Sequence, residues 1–200
     1  MLQILASGVC WGLVLVTWIA GAARSSRRAR SARQPGGSGA LWRLAALLGA
    51  LLVFHFLRHD LRGLATRSSW VEGAGLALLL AATAFTLWAR FALGAMWSIS
   101  PDVLKPDHEL RTSGPYAVVR HPIYSGLTGM LVGSALLNGL GGWVVLILVG
   151  VALCATRVPI EERLMSKTFP GEYERYRKRV PQLIPGLYLL RRALQGGQAR

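Results

Sequence analysis

The chain has 200 residues, 52% of them hydrophobic, a mean hydropathy of +0.40 and a formal net charge of +14. Two hundred residues would suit one or two soluble domains, but the apolar residues are bunched rather than periodic, which argues against a soluble globule. The basic residues fall in the gaps between apolar runs, where the positive-inside rule puts them, so no nucleic-acid partner is expected.

In chain order, residues 1–23, 44–57, 73–89 and 121–156 carry no charge. A charge-free apolar stretch of about 18 residues or more matches a hydrocarbon core of about 30 Å. The first span is expected over 2–22. It has no basic segment before it and arginines after it, so it reads as a retained span rather than a cleaved leader. The connector "RSSRRARSARQPGGSG" follows, with arginines at 24, 27, 28, 30 and 33. It reads as a flexible, lipid-facing, cytoplasmic loop. A second span is expected over 41–57, then a short connector with Arg58, Asp60, Arg62 and Arg67. A third covers 70–91, with Trp70, Trp88 and Trp97 placed as interfacial anchors. His55 and His59 lie four apart but lack a clear third ligand, so they read as an interfacial pair and no metal is expected.

Residues 94–120 form a polar connector punctuated by proline and glycine. The run 122–156 then splits at "NGLGG" (138–142), a strong turn signal. The resulting segments, 122–137 and 143–156, are roughly 24 and 21 Å long as helices, which predicts a short helical hairpin. Gly126, Gly129 and Gly133 give it a small-residue face for close helix contact. The tail is basic. Tyr173, Tyr176 and Val180 fall on one stripe, Glu174 and Lys178 make an i,i+4 pair, and a helix lying along the membrane surface is expected. Pro181 and Pro185 end it.

The fold class is therefore an all-α, multi-pass integral protein of the cell membrane with about five transmembrane helices, the last two a short hairpin. Residues 1–93 form an N-terminal membrane part and 94–200 a second part holding the hairpin and tail. With the arginine-rich loop inside, the N-terminus is outside and connector 94–120, the hairpin mouth and the C-terminus are cytoplasmic.

No glycine-rich nucleotide loop after a strand, CxxC or HExxH is present. Cys10 and Cys154 lie inside apolar segments and imply no disulfide. In Arg120-His121-Pro122, proline is well placed at a helix start, and the helix end would suit an anion; interfacial snorkelling is the alternative. Glu161 and Glu162 follow the last apolar segment, and acids at membrane level are functional candidates by default. An Arg157–Glu161 salt bridge is the plain alternative. The two ends of one hairpin must lie close, however, so Arg120, His121 and Tyr124 are expected to approach Arg157 and Glu161. That convergence looks like a site.

"HELRTSGPYAVVRHPIYSG" (108–126), followed at a distance by "RVPIEERLMSKTFPGEYERYRKRVPQLIP" (157–185), resembles the isoprenylcysteine carboxyl methyltransferase family, within the wider group that includes phospholipid methyltransferases. The resemblance covers about residues 98–187. It implies S-adenosylmethionine as methyl donor, held at the cytoplasmic face by the connector and C-terminal helices in 94–200. His108, Leu110, Arg111, Tyr116, His121, Pro122, Ile123, Tyr124 and Glu161 match the family's cofactor positions. Arg157 matches an arginine turned toward the methyl acceptor, which with Glu161 makes the implied catalytic pair. The tail matches the closing segment that covers the cofactor. Pro101-Asp102 stands where eukaryotic members offer a further contact, and that contact is not carried over.

These residue types suit the chemistry. A cationic sulfonium favours carboxylate and aromatic faces. A carboxylate acceptor is already ionised at pH 7 and needs no base. An amine acceptor would need deprotonation, for which Glu161 or His121 are the candidates. The expected activity is carboxyl O-methylation of a prenylcysteine-like, lipidated acceptor. The alternatives are a phospholipid amine or a small thiol as acceptor, or a non-enzymatic membrane scaffold. Membrane lipids are the other expected partners, and nothing in the sequence speaks to oligomeric state.

Overall fold

A computed structural model describes residues 2–28, 68–94 and 109–186, all of it helix and connection. The expected second span, the arginine-rich connector beyond Arg28, His55, His59, Trp97 and His108 lie outside the described residues. The helices are α1 (Leu2–Arg28), α2 (Ser69–Leu93), α3 (Pro115–Val118), α4 (Pro122–Asn138), α5 (Trp143–Thr168) and α6 (Glu172–Arg179).

Among the described residues, three helices are long and apolar enough to cross a bilayer: α1 over Leu2–Gly21, α2 and α5. Their outward faces keep large apolar side chains exposed, including Leu2, Val16, Trp70, Phe91 and Leu148. A contiguous surface of that kind is covered by lipid rather than water. The chain reads as an integral membrane protein. α1 continues as helix past the charge-free run to Arg28, because arginine is a good helix former and no stop signal precedes it.

The hairpin differs from its sequence-based expectation in one arm. α4, with 17 residues, is short as expected, but α5 has 26 residues and does not end at Thr156. At 1.5 Å per residue it is about 39 Å long, enough for a full crossing. Charge ends an apolar run but does not end a helix. The true stop is Phe169-Pro170-Gly171, where the Phe169 N–H bonds Met165 O and Gly171 takes φ 77°. Pro159 is carried inside the helix. Glu161 and Glu162 are therefore helical residues two turns from the α5 end.

The most extensive contact in the described structure is α2 against α4, so packing runs across the 93/94 division. Glycine permits it. A Cβ on Gly133 would lie 2.7 Å from the Leu79 backbone N, and one on Gly75 would lie 2.5 Å from Leu137 N. A Cβ on Gly126 would overlap the Thr86 hydroxyl. The expected small-residue face of α4 is thus the one that meets α2. Leu79, Ala82, Met130 and Leu137 form the buried centre, joined by Cys10 and Val14 of α1.

The tail turns its tyrosine stripe inward. Tyr173 and Tyr176 are buried against the protein. The ion pair on α6 is Glu174–Arg177 at 3.3 Å, i,i+3, rather than Glu174–Lys178. The tyrosine stripe was legible, but its partner is α3 and the hairpin mouth. The Tyr176 hydroxyl donates to Tyr116 O at 2.6 Å.

Candidate functional site at the hairpin mouth

Pro122 fills the first position of α4 and is fully buried, with His121 as the residue before the helix. The approach to that helix is fastened by the chain after α6. Arg120 N–H donates to Pro181 O at 2.9 Å and His121 N–H to Gln182 O at 3.1 Å. The Ser125 hydroxyl reaches Leu183 O. The Arg120 side chain closes the same seam, its Nη1 donating to Arg177 O at 2.9 Å and Val180 O at 2.8 Å. Those carbonyls belong to the end of α6, where backbone acceptors lack helical partners.

α5 supplies the acids. Arg120 Nε and Nη2 donate to Glu162 Oε1 at 2.9 and 2.7 Å. His121 lies between the two carboxylates, Nε2 3.3 Å from Glu162 Oε1 and Nδ1 3.5 Å from Glu161 Oε2. The Tyr124 hydroxyl makes a short hydrogen bond to Glu161 Oε1. The Tyr124 ring stands 6.0 Å from the His121 ring. Side-chain exposure separates the acids: Glu161 is 20% exposed and Glu162 13%, against 8% for His121. Glu161 is the more open of the two carboxylates.

Burial alone would push the His121 imidazolium toward its neutral form. Hydrogen bonds and charge from Glu161 and Glu162 outweigh that and raise its pKa above the usual 6.5. Burial raises the Tyr116 phenol, and so do nearby Tyr176 and Glu161, while Arg90 opposes them. Tyr173 and Tyr176 are likewise pushed up, chiefly by burial, so these phenols stay neutral donors.

The structure brings Tyr116, His121, Pro122, Tyr124 and Glu161 to one place. Arg157 lies one turn before Glu161 on α5, and its charge reaches Tyr124, but the Arg157–Glu161 ion pair that stood as the plain alternative does not form. No described carboxylate lies within 4 Å of Arg157. Ile123 is half-buried beside this group. Arg111 is exposed and pairs with Glu109 at 3.6 Å. Neither it nor Leu110 hydrogen-bonds to the cluster.

Two participants were not singled out from sequence. Glu162 was seen as half of an acidic pair, but neighbouring helical residues point about 100° apart and need different partners. Two adjacent bases, Arg120 and His121, were the available signal. Arg90, buried in the last turn of α2 beside Tyr116, gave no sequence signal beyond one charge at the end of an apolar run.

An apolar cavity of about 870 Å³ opens next to the cluster. Leu78 and Phe85 of α2, Gly129 of α4 and Val151 of α5 line it, with residues 182–185 as a further wall. Ser125, Cys154 and Pro159 bring it to the residues that flank Tyr124, Arg157 and Glu161. The site thus joins a charged, hydrogen-bonded face to a greasy one.

Residues 71–172 match the family described as phospholipid methyltransferase. Over 82 residues the chain is 40% identical to the protein-S-isoprenylcysteine O-methyltransferase of Schizosaccharomyces pombe, covering 40% of this chain and 34% of that protein. Over 100 residues it is 32% identical to the cobalt-zinc-cadmium resistance protein CzcN of Cupriavidus metallidurans, covering 50% and 46%. The chain thus spans less than half the length of these two relatives. In fold it is similar to the solved eukaryotic intramembrane Ras methyltransferase, isoprenylcysteine carboxyl methyltransferase. That likeness has a TM-score of 0.59 at 19% identity, covering 90% of this chain and 67% of that one.

Proposed function

The chain belongs to the phospholipid methyltransferase family, and on that premise we propose that it transfers a methyl group from S-adenosylmethionine to a lipid-like acceptor within the membrane. The acceptor best suited to the site is a prenylcysteine carboxylate. The observation that carries the reading is the junction of the Glu161–Tyr124–His121 cluster with an apolar cavity of about 870 Å³.

The residues present suit the donor. Glu161 offers a partly open carboxylate, and Tyr116 and Tyr124 offer aromatic faces to a cation, while His121 braces Glu161. His108, Leu110, Arg111, Pro122 and Ile123 complete the proposed donor-binding set. When bound, the donor supplies an electrophilic methyl on a sulfonium, and its displacement leaves a neutral thioether. The protein's own work is alignment and exclusion of water, because an in-line displacement gains most from a fixed approach. The segment 180–185, sealed by Arg120, forms part of that enclosure.

Arg157 is the proposed acceptor residue. It stands on α5 one turn before Glu161, without a described carboxylate partner, and would hold an acceptor carboxylate in a charge-assisted pair. Such an acceptor needs no base, since it is ionised at neutral pH. Residues 94–200 are the proposed catalytic part. The arginine distribution supports a cytoplasmic site and C-terminus, with the N-terminus outside.

A second reading is N-methylation of a phospholipid amine, favoured by the description of the matched family. It requires a base, for which Glu161 is the candidate that the site leaves open, since His121 between two carboxylates favours its protonated form. A labelled-methyl screen with the protein in detergent decides between them. Transfer to a prenylcysteine analogue, with none to phosphatidylethanolamine, is expected. Transfer to phosphatidylethanolamine alone would replace the first reading with the second. Donor binding should be lost in Glu161→Ala and Tyr124→Ala, and binding that survives both changes sinks the site assignment.

A further inference from the structure

Glu162 is the acid to which methyl transfer assigns no task. It is less open than Glu161 and turned to the protein side, where it meets Arg120 through two nitrogens. It also meets His121. One α5 carboxylate stands at each ring nitrogen, Glu161 at Nδ1 and Glu162 at Nε2. A neutral imidazole has one N–H and one lone pair, and a lone pair facing an ionised carboxylate is repelled. Acids at both nitrogens therefore favour the ring that carries both protons.

We propose that Glu162 is a positioning residue for methyl transfer, holding Arg120 and His121 so that the imidazole turns its Nδ1–H onto Glu161. The proposal rests on the methyltransferase reading, in which Glu161 is the carboxylate that meets the donor. Without Glu162 the ring has a single acceptor, and Glu161 loses the fixed donor opposite the Tyr124 hydroxyl.

The groups around His121 are few. Glu161 and Glu162 face it from α5, Tyr124 from α4, and Arg120 from its own loop. The chain after α6 contributes Gln182, whose carbonyl takes the His121 N–H and whose side chain reaches Glu162. Tyr173 of α6 faces Glu162, Tyr116 of α3 faces Glu161, and Arg157 acts on Tyr124. Of these side-chain types, only imidazole ordinarily changes charge between pH 5 and 8. Burial opposes the imidazolium and two carboxylates sustain it. With one carboxylate neutralised, the same burial acts against half the support, so the doubly protonated ring is lost at lower pH.

The test is the pH dependence of methyl transfer by the full chain in detergent, between pH 6 and 9. The decline on the alkaline side should move down by about one unit in Glu162→Gln, which is about tenfold in proton affinity. Glu162→Asp keeps the charge and should keep the wild-type profile even at a lower rate. A Glu162→Gln profile parallel to wild type, lower by a constant factor, means that Glu162 only supports the fold and overturns the proposal. A second measurement does not depend on turnover or on the folding of the Glu162 variants. Nitrogen-15 resonances of labelled histidine, with His121 identified by its loss in His121→Asn, should show two protonated ring nitrogens in the wild type at pH 7. A singly protonated His121 overturns the proposal as well. If the wild type transfers methyl to no acceptor, the methyltransferase reading fails and the proposal with it. The ring signal then still reports whether the carboxylates hold the imidazole as described.

Discussion

α4 ends in polar side chains at both of its termini, and the two clusters differ in kind. At its C-terminal end Asn138 Nδ2 donates to Ser7 Oγ and to Ser134 O, both at 2.9 Å. Trp11 Nε1 donates to Ser134 Oγ at 3.1 Å, and the Ser7 hydroxyl donates to Gln3 O at 3.0 Å. Gln3 Nε2 reaches Glu72 at 2.7 Å. This end links α1, α2 and α4 mostly through neutral groups, each with a partner. At the N-terminal end the groups are charged, they span α4, α5 and the chain after α6, and capacity is left over. Glu161 remains partly open, and Arg157 has no described carboxylate beside it. In apolar surroundings a satisfied neutral network fastens helices, whereas a charged cluster with unused donors and acceptors is costly unless something binds it. The contrast separates a joint from a candidate site.

The largest expected effect tests the charged end. Glu161→Gln removes the open carboxylate with little change in shape. It should lower methyl transfer by about 100-fold or more, the scale found when one preorganised electrostatic partner is lost. Thermal unfolding in detergent should move little. An unfolding midpoint that falls in step with activity would make Glu161 part of the joint and break the comparison.

A second test strikes the α2–α4 contact that holds both ends in register. Gly133→Leu drives a side chain into the Leu79 backbone, where a Cβ alone would stand 2.7 Å from nitrogen. Backbone yields less readily than a side-chain tip, so destabilisation of about 3 kcal/mol is expected, at the upper end of overpacking costs. Denaturant titration of the detergent-solubilised protein measures it. Stability equal to wild type would mean that the close approach of the helices is not needed.

The same contrast shows what was legible in the residues. Gly126, Gly129 and Gly133 announced a close helix contact because only missing side chains allow one, and spacing alone fixed which face they share. The meeting of Tyr124 and His121 with Glu161 followed from a single turn at 138–142, since a hairpin must return to its origin. The length of α5 did not follow. Hydropathy reports where charge begins, while a helix stops where backbone partners run out, and those points lie twelve residues apart, at Thr156 and Thr168. Tyr173 and Tyr176 showed their periodicity but not their partner, because an apolar stripe reads the same whether lipid or protein covers it. The roles of Glu162 and of Arg120 Nη1 depend on the return of residues 177–182 to the mouth, a tertiary contact that no local pattern encodes.

The smallest expected effect belongs to the neutral end. Asn138→Ala removes two hydrogen bonds from one side-chain nitrogen, yet it leaves little stranded. Ser7 still donates to Gln3 O, and Ser134 O keeps its helical environment. Hydrogen bonds between membrane helices average about 0.6 kcal/mol and reach about 1.7 kcal/mol, because separated helices also find polar partners. A loss within that range is therefore expected, with methyl transfer within about twofold of wild type. A double-mutant cycle with Ser7→Ala isolates the pair, and its coupling energy should fall below the single-site cost, since one of the two Asn138 bonds goes to Ser134 O instead. A tenfold loss of transfer in Asn138→Ala at unchanged stability would show that the far end of α4 is coupled to the chemistry, and the division between joint and site would have to be redrawn along the whole helix.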